Sequence, residues 1–367
     1  MLRSARLILD KRNWSSLALK RTQQQNPRLR NAYTASKSKM SSSKVICTHN
    51  GSFHCDEALA CWMLKQLDEY KDASIVRTRD PEVIAKADIV VDVGAVYDPA
   101  THRYDHHQRE FTGTFDDKHT IRLSSAGLVY KHFGRRVIAA LVGEAPEATI
   151  ELVYQKLYND FIEGIDGIDN GVNEYPSGVK PNYKVPTDLG SRVSWLNPAW
   201  NENGVDLDQR FTQAVEITGH DFKHLATSIV KSWLPARAIV EQALKERTSV
   251  HPSGEIIILS HFCPWKSHLE NLEDEQGISG HVKYALFQDQ GSSWRIQCMS
   301  VSSESFQNRL SLPEPWWGKR DNDLSVLAGI EGGIFVHATG FIGGAQTKEA
   351  VLKMATIAVE APRPAAK

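Results

Sequence analysis

Between residues 44 and 93 the apolar period switches back and forth, and few folds satisfy such a pattern. Residues 44–49 form a short β-branched run that reads as a buried strand. Residues 56–67 place Ala58, Leu59, Trp62, Met63 and Leu67 on one side of a helix. Residues 73–78 predict a second strand. Pro81 opens a short helix at a position that tolerates its missing N–H. Residues 88–93 predict a third strand, followed by Gly94. Strand–helix–strand–helix–strand implies a parallel sheet with right-handed crossovers. Ligands collect at the carboxyl ends of such strands, where His49 and Asp92 stand.

The pattern then changes. Residues 124–133 read as a helix capped by Ser124 or Ser125. A second helix, about 148–164, delivers Asp166 and Asp169. Residues 171–205 are rich in Gly, Pro and Asn and predict loop, whereas 211–246 are mostly helical and end in a connector. His251-Pro252-Ser253-Gly254 is a turn and the expected domain boundary. Beyond it, 255–260, 282–288 and 294–301 read as strands and 348–359 as a final helix. The expected organisation is a basic segment over 1–43, a metal-binding catalytic domain over 44–250, and a smaller α/β substrate-binding domain over 251–367.

The net charge of −1 hides an asymmetry. Residues 1–44 hold eleven Lys/Arg and one acid, a net +10, so the remainder carries −11. An acidic body argues against broad coating of nucleic acid, though not against a local basic groove. The leading segment is rich in Arg, Ser and Gln, with Leu2, Leu7, Ile8, Leu9, Trp14, Leu17 and Leu19 along it. That is the composition of a mitochondrial transit peptide, or alternatively of a disordered basic tail or nuclear signal. Initiation at Met40 would give a product without it, so two locations are expected. No apolar run reaches the roughly 18 residues that span a bilayer, and no membrane association is expected. Five cysteines form no Cys-x-x-Cys pair, which fits a reduced interior.

Residues that favour divalent metals recur at the strand ends. In Thr48-His49-Asn50-Gly51-Ser52-Phe53-His54-Cys55-Asp56, a turn folds His54 and Asp56 back toward His49. Asp56 is also a plausible helix cap, but capping does not call for two histidines. Asp92 is an acid in an apolar strand, costly unless paired or metal-bound. In His102-Arg103-Tyr104-Asp105-His106-His107-Gln108-Arg109, Asp105 suits a bridge between two ions and His106 a ligand. His107 suits metal or phosphate, and Arg103 and Arg109 suit phosphate oxygens. Asp166 and Asp169, three apart, can face one site on a helix, with Asp166 favoured as ligand. Imidazole and carboxylate together suit Mn²⁺, Fe²⁺ or Zn²⁺, and a set this rich suits two ions. Two adjacent metals are one solution to phosphate-ester hydrolysis.

A further segment, Gly332 to Gly344, clusters glycines around His337, Gly340 and Gly343. Such glycines let backbone N–H groups approach an anion, and they equally suit a tight bend between strands. Trp316 and Trp317 suit base stacking or a packed surface loop.

These motifs resemble the DHH phosphoesterase superfamily. Thr48 to Ala60, Tyr104 to Arg109, Leu123 to Tyr130 and Gly340 to Gly344 are similar to the melanocyte-proliferating-gene family, across residues 44–360. The resemblance implies an active site in the cleft between a DHH domain and a C-terminal domain. It implies a hydrolase of mitochondrion (matrix) and nucleus, a 3′-to-5′ RNA exonuclease dependent on two divalent ions, Mn²⁺ first and Mg²⁺ second. By position, His49, His54, Asp56, Asp92, Asp105, His106 and Asp166 or Asp169 become metal-site residues. Asp105, His106 and His107 become catalytic, and Arg103, Arg109, His337, Gly340, Gly343 and Gly344 contact substrate. His54-Cys55-Asp56 departs from the superfamily's Asp-x-Asp, which bears on metal preference. The implied partner is RNA, with self-association an option. The alternatives are a phosphoesterase for pyrophosphate, a cyclic dinucleotide or an oligonucleotide, and a non-catalytic RNA-binding protein.

Overall fold

The structure, a computed structural model, describes residues 43–176, 178–302 and 305–362. The segment expected as a transit peptide over 1–43 lies, but for Ser43, outside them. β1 (Val45–Thr48), α1 (Cys55–Lys65), β2 (Ser74–Arg77), α2 (Pro81–Lys86) and β3 (Ile89–Val91) alternate as the apolar periods dictate. A narrow hairpin follows, β4 (Tyr97–Asp98) and β5 (Arg103–Tyr104). The spatial order is β2-β1-β3-β5-β4. β1 pairs parallel with β2 and β3, and β3 with β5, but β4 runs antiparallel to β5. The purely parallel sheet expected from sequence is thus corrected to a mixed one. Residues 99–102 are too few for a crossover connection, so β5 can only turn back on β4.

Alternation along the strands sorts side chains to two faces. Ile46, Ile89 and Val91 enter the main core with α1, while Cys47 and Val90 join Ala87 and Val93 on the other face. The main core is completed by α3 (Ser125–Val142), α4 (Glu147–Leu157) and α5 (Glu163–Asp169), the last two joined by a π turn at Tyr158–Ile162. α3 extends well past the expected end, because Val137 and Ile138 continue its buried face. The stretch expected as loop contains α6 (Leu189–Ser194), capped by Asp188. Six residues are too few to show a helical period.

α7 (Leu207–Ser228) passes through a second π turn, Ile229–Trp233, into α8 (Leu234–Lys245) and α9 (Arg247–Val250). Gly219 lets α7 close on α1: a Cβ there would lie 2.1 Å from the Trp62 indole. The remaining elements are β6 (Ile256–Ile258), α10 (Lys266–Glu275), β7 (Tyr284–Gln288), β8 (Trp294–Cys298), α11 (Asp321–Ala328), β9 (Gly333–Val336), β10 (Ile342–Ala345) and α12 (Lys348–Glu360). They form a second sheet, β6-β7-β8-β10-β9, with only β6 and β7 parallel.

Both faces of this sheet are covered. Ile256, Tyr284, Leu286 and Ile296 pack with Val351 and Met354 of α12. Ile257, Ala285 and Phe287 pack with Val240 and Leu244 of α8 and Leu269 and Leu272 of α10. Trp233 joins the two halves. It stacks on His268 at 4.1 Å and donates from Nε1 to Ser267 Oγ at 2.9 Å, with the Lys156 ammonium over its ring at 4.5 Å. No described helix is long and apolar enough to cross a membrane.

Candidate metal centre

Four chain segments converge at the carboxyl ends of β1 and β3. The first is the turn after β1. Gly51 takes φ +88°, a conformation that favours glycine, and its carbonyl accepts from Arg77 Nη2 at 2.6 Å. The turn delivers His54 as the N-cap of α1 and Asp56 as its second residue. The cap is therefore His54, not Asp56. Glu57 returns to accept the His54 backbone N–H at 2.9 and 3.0 Å. The second segment follows β3, where Asp92 is left-handed at φ 57°. That backbone costs about 1–3 kcal/mol in a non-glycine residue and recurs at functional sites.

Three overlapping ligand sets result, the atoms of each lying within 4.8 Å of one another. His49, His54, Glu57 and Asp92 form one, Asp92, His106 and His107 the second, and His54, Asp56 and Asp169 the third. Asp92 and His54 each belong to two sets, so two neighbouring ions fit better than one. His49 Nδ1 is engaged by the Asn50 carbonyl at 3.1 Å, which leaves Nε2 for the centre. That Nε2 lies 3.1 Å from Glu57 Oε1 and 3.3 Å from Asp92 Oδ2. His106 Nε2 lies 3.1 Å from Asp169 Oδ2 and 3.4 Å from Asp92 Oδ1. Yet Asp56 Oδ1, Asp92 Oδ1 and both His106 nitrogens are buried without a hydrogen-bond partner. Buried groups left so are costly, and cations in the ligand sets would satisfy Asp56 Oδ1, Asp92 Oδ1 and one nitrogen of His106. The donor set, imidazole with carboxylate, fits a divalent transition ion.

The Leu123 to Tyr130 motif acts behind this shell. Ser125 Oγ donates to Asp56 Oδ2 at 2.7 Å, fixing that carboxylate from behind. Ser124 donates from N and Oγ to Asp166 Oδ1 at 2.9 and 2.7 Å, and Tyr158 Oη to Oδ2 at 3.2 Å. Gly127 makes room: a Cβ there would lie 2.4 Å from both Asp166 oxygens. Asp166, expected as the preferred ligand, thus anchors the start of α3, and Asp169 is the acid that reaches the cluster.

Charge follows from the geometry. Burial alone would lower His49 and His106, but the carboxylates of Asp92 and Glu57 beside the first, and of Asp169 and Asp92 beside the second, raise each to about 10. Burial would raise Asp92, but His106 and His49 pull it down to about 2. Burial, reinforced by the Asp92, Asp169 and Glu57 carboxylates, pushes Asp56 well above the usual carboxylate range. Burial likewise holds Asp166 up at about 7, against its Ser124 and Tyr158 hydrogen bonds. The cluster thus holds its negative charge by imidazolium, a role a metal ion can take over.

Other expected residues lie elsewhere. Among the described residues, Asp105 enters none of the ligand sets. Its Oδ2 accepts from Ala95 N–H at 2.6 Å and its Oδ1 from His107 N at 3.1 Å, with His107 Nδ1 2.7 Å away. Asp105 therefore orients His107, whose side chain is 60% exposed. Arg103 is spent on the carbonyls of Thr101 and Ala87, and Arg109 is exposed. His337 bonds Thr339 within its own hairpin, and Gly340 packs where a Cβ would strike the Trp317 indole at 2.0 Å. Gly343 and Gly344 lie in β10, close to Phe335 O and Arg295. Trp316 is buried and Trp317 donates to Leu312 O at 2.7 Å. These glycines and tryptophans are accounted for by close packing. Glu57 is the cluster member that sequence reasoning missed. Its signal was an acid three residues after His54, which reads as a cap and also points it back to the strand ends.

Fold and site together define a two-sheet α/β protein with a candidate two-metal centre. Residues 45–359 match the family model MYG1_exonuc, described as "Uncharacterised protein family (UPF0160)". The chain is 51% identical over 313 residues to the MYG1 protein of Dictyostelium discoideum, covering 85% of this chain and 95% of that one. It is 48% identical over 327 residues to the MYG1 exonuclease of Homo sapiens, covering 87% of each. The chain belongs to the MYG1 family, the one its motifs resemble. Among solved structures, it is similar to the pGpG-specific phosphodiesterase PggH from Vibrio (12% identity, TM-score 0.27, 86% of this chain and 98% of that). It is also similar to exonuclease RecJ bound to manganese (12% identity, TM-score 0.24, 87% and 91%). Likenesses at that level define neither fold nor function.

The two acids of α5 separate in one experiment. Asp166→Ala leaves the Ser124 and Tyr158 donors unpaired and lowers unfolding stability by roughly 1–3 kcal/mol. Asp169→Ala leaves the stability of metal-free protein near wild type and weakens Mn²⁺ binding at least about tenfold. Denaturant unfolding and calorimetric Mn²⁺ titration read the two effects, and the reverse pattern contradicts these roles.

Proposed function

We propose that this chain is a metal-dependent phosphodiesterase, acting as a 3′-to-5′ RNA exonuclease. The observation that carries the reading is the sharing of Asp92, whose Oδ1 is buried without a hydrogen-bond partner, between two ligand sets. Relatives from mouse and human carry the name MYG1 exonuclease, which supports hydrolysis from a chain end. Divalent ions held here, Mn²⁺ first and Mg²⁺ second, would supply an activated water and neutralise charge on the phosphoryl oxygens.

The chain's own residues do the rest. Asp92, strained at its backbone, holds its carboxylate between His49 and His106. Ser125 and the start of α3 keep Asp56 from turning away. Asp105 fixes the His107 ring through Nδ1, so that Nε2 is left for an incoming phosphodiester. That nitrogen accepts when the ring is neutral and donates when it is protonated, as a phosphoryl oxygen requires. His49, His106 and His107 are partnered by carboxylates and the Asn50 carbonyl, and the reading is direct hydrolysis without a covalent enzyme intermediate.

Purified protein with Mn²⁺ should shorten 5′-labelled single-stranded RNA one nucleotide at a time, and chelation should stop it. Internal fragments, or cleavage indifferent to metal, would contradict the proposal. The same assay run on pyrophosphate, a cyclic dinucleotide and a dinucleotide separates RNA from small substrates. The basic leading segment extends the reading to location, mitochondrial with it and nuclear after initiation at Met40. A reporter fused to residues 1–43 should enter mitochondria, and a reporter that stays wholly cytosolic excludes this.

A further inference from the structure

A cavity of about 360 Å³ opens directly beside the metal centre. His54, Asp56 and Asp169, the third ligand set, form its polar end. Its other walls are the Phe53 ring, Ile165 and Ile168 of α5, and Gly190 and Ser194 of α6. Asp56 is buried, and its Oδ1 has no partner. A group bound at the metals therefore has an adjoining space to enter, and that space is mainly apolar.

The walls are built rather than incidental. Phe53 is clamped through its backbone, its N–H donating to Asn197 Oδ1 at 3.0 Å and its carbonyl accepting from Asn197 Nδ2 at 2.8 Å. Its ring meets Phe211 edge-on at 5.6 Å. The start of α6 is fixed by Asp188, which accepts from Ser191 N at 2.9 Å and Ser191 Oγ at 2.6 Å. Gly190 adjoins both the Asp188 cap and Ile168: a Cβ there would lie 3.2 Å from Asp188 Oδ1 and 4.0 Å from Ile168 Cγ2, so added bulk crowds this part of the lining. Ile168 itself is 64% exposed at the lip, apolar surface that a ligand would cover.

We propose that this cavity receives the terminal nucleoside of the substrate, and that it does so with little regard to which base is present. The proposal rests on the phosphodiesterase reading above. With the scissile phosphate at the metals, the flanking nucleoside must lie within a few ångströms, and the cavity is the space so placed. Its size, near the lower end of the roughly 300–1,000 Å³ typical of ligand sites, suits one nucleoside. Beyond the metal end, its side chains offer only Ser194 and Cys55 as hydrogen-bonding groups. A base edge therefore finds few partners that tell one base from another. Apolar contact on the ring faces is available to every base.

The test uses the full chain loaded with Mn²⁺ and compares AMP, CMP, GMP and UMP with ribose 5-phosphate as ligands. The four nucleotides should bind within about fivefold of one another and at least about tenfold more tightly than ribose 5-phosphate. Ile168→Trp and Gly190→Val, which add bulk to two residues of the lining, should each remove that tenfold advantage. Ribose 5-phosphate affinity and Mn²⁺ stoichiometry should stay at wild-type values in both, which also reports that the variants fold. Equal binding of nucleotides and ribose 5-phosphate by wild type overturns the proposal. So does an advantage that survives both substitutions, and a single base preferred by far more than fivefold overturns its base tolerance. A wild-type protein that binds nucleotides as expected yet cleaves no RNA would instead sink the exonuclease reading and leave the cavity's role standing.

Discussion

The structure depends on how Asp56, Glu57 and Asp92 are kept buried beside one another at the carboxyl ends of the parallel strands β1 and β3. Desolvating several carboxylates at one point is costly unless each is paired or coordinated. The fold answers from three directions. His49 and His106 place imidazoles between the acids. The first turn of α1 carries Asp56 and Glu57, and the first turn of α3 donates Ser125 to Asp56, so both helix starts favour the anions. The Asp56 and Asp92 oxygens left without a partner each belong to a ligand set that a cation would complete. Much else follows from this. Gly127 is small so that Asp166 can anchor α3, and Asp92 accepts a left-handed backbone so that its carboxylate can face two histidines.

The first sheet was legible because its strands and helices differ in apolar period and each is long enough to show one. The edge strand β4 was not, since two residues carry no alternation. α6 and α10 were missed for related reasons: the first spans six residues, and the second is mostly charged, with Leu269 and Leu272 as its only buried leucines. At the site, residue type and position at strand ends were enough to gather His49, His54, Asp56, Asp92, His106 and Asp169. Orientation was not readable. Asp105 and Asp166 are the same residue type as Asp92 and Asp169, and only the three-dimensional positions of Ala95, His107, Ser124 and Tyr158 turn them into anchors. Glu57 escaped because a glutamate at the third position of a helix already has an ordinary reason to be there.

The second sheet differs in kind. Its glycine-rich hairpin is explained by packing against Trp317, Phe335 and Arg295, and its two faces are closed by helices. The continuous rod from α7 to α8 lends residues to the main core and to the core beneath the second sheet, with Trp233 at the π turn between them. The cluster and the cavity beside it, by contrast, are built wholly from elements before residue 200. The candidate metal centre and its cavity are thereby concentrated around the first sheet.

The claim on which the account turns is that two ions share Asp92. Anomalous diffraction from crystals grown with Mn²⁺ tests it directly. The account predicts two peaks, one ligated by His49 and one by His106 and Asp169, with Asp92 in both coordination shells. A single peak, or a pair bridged by Asp105 with Asp92 in neither shell, would contradict it.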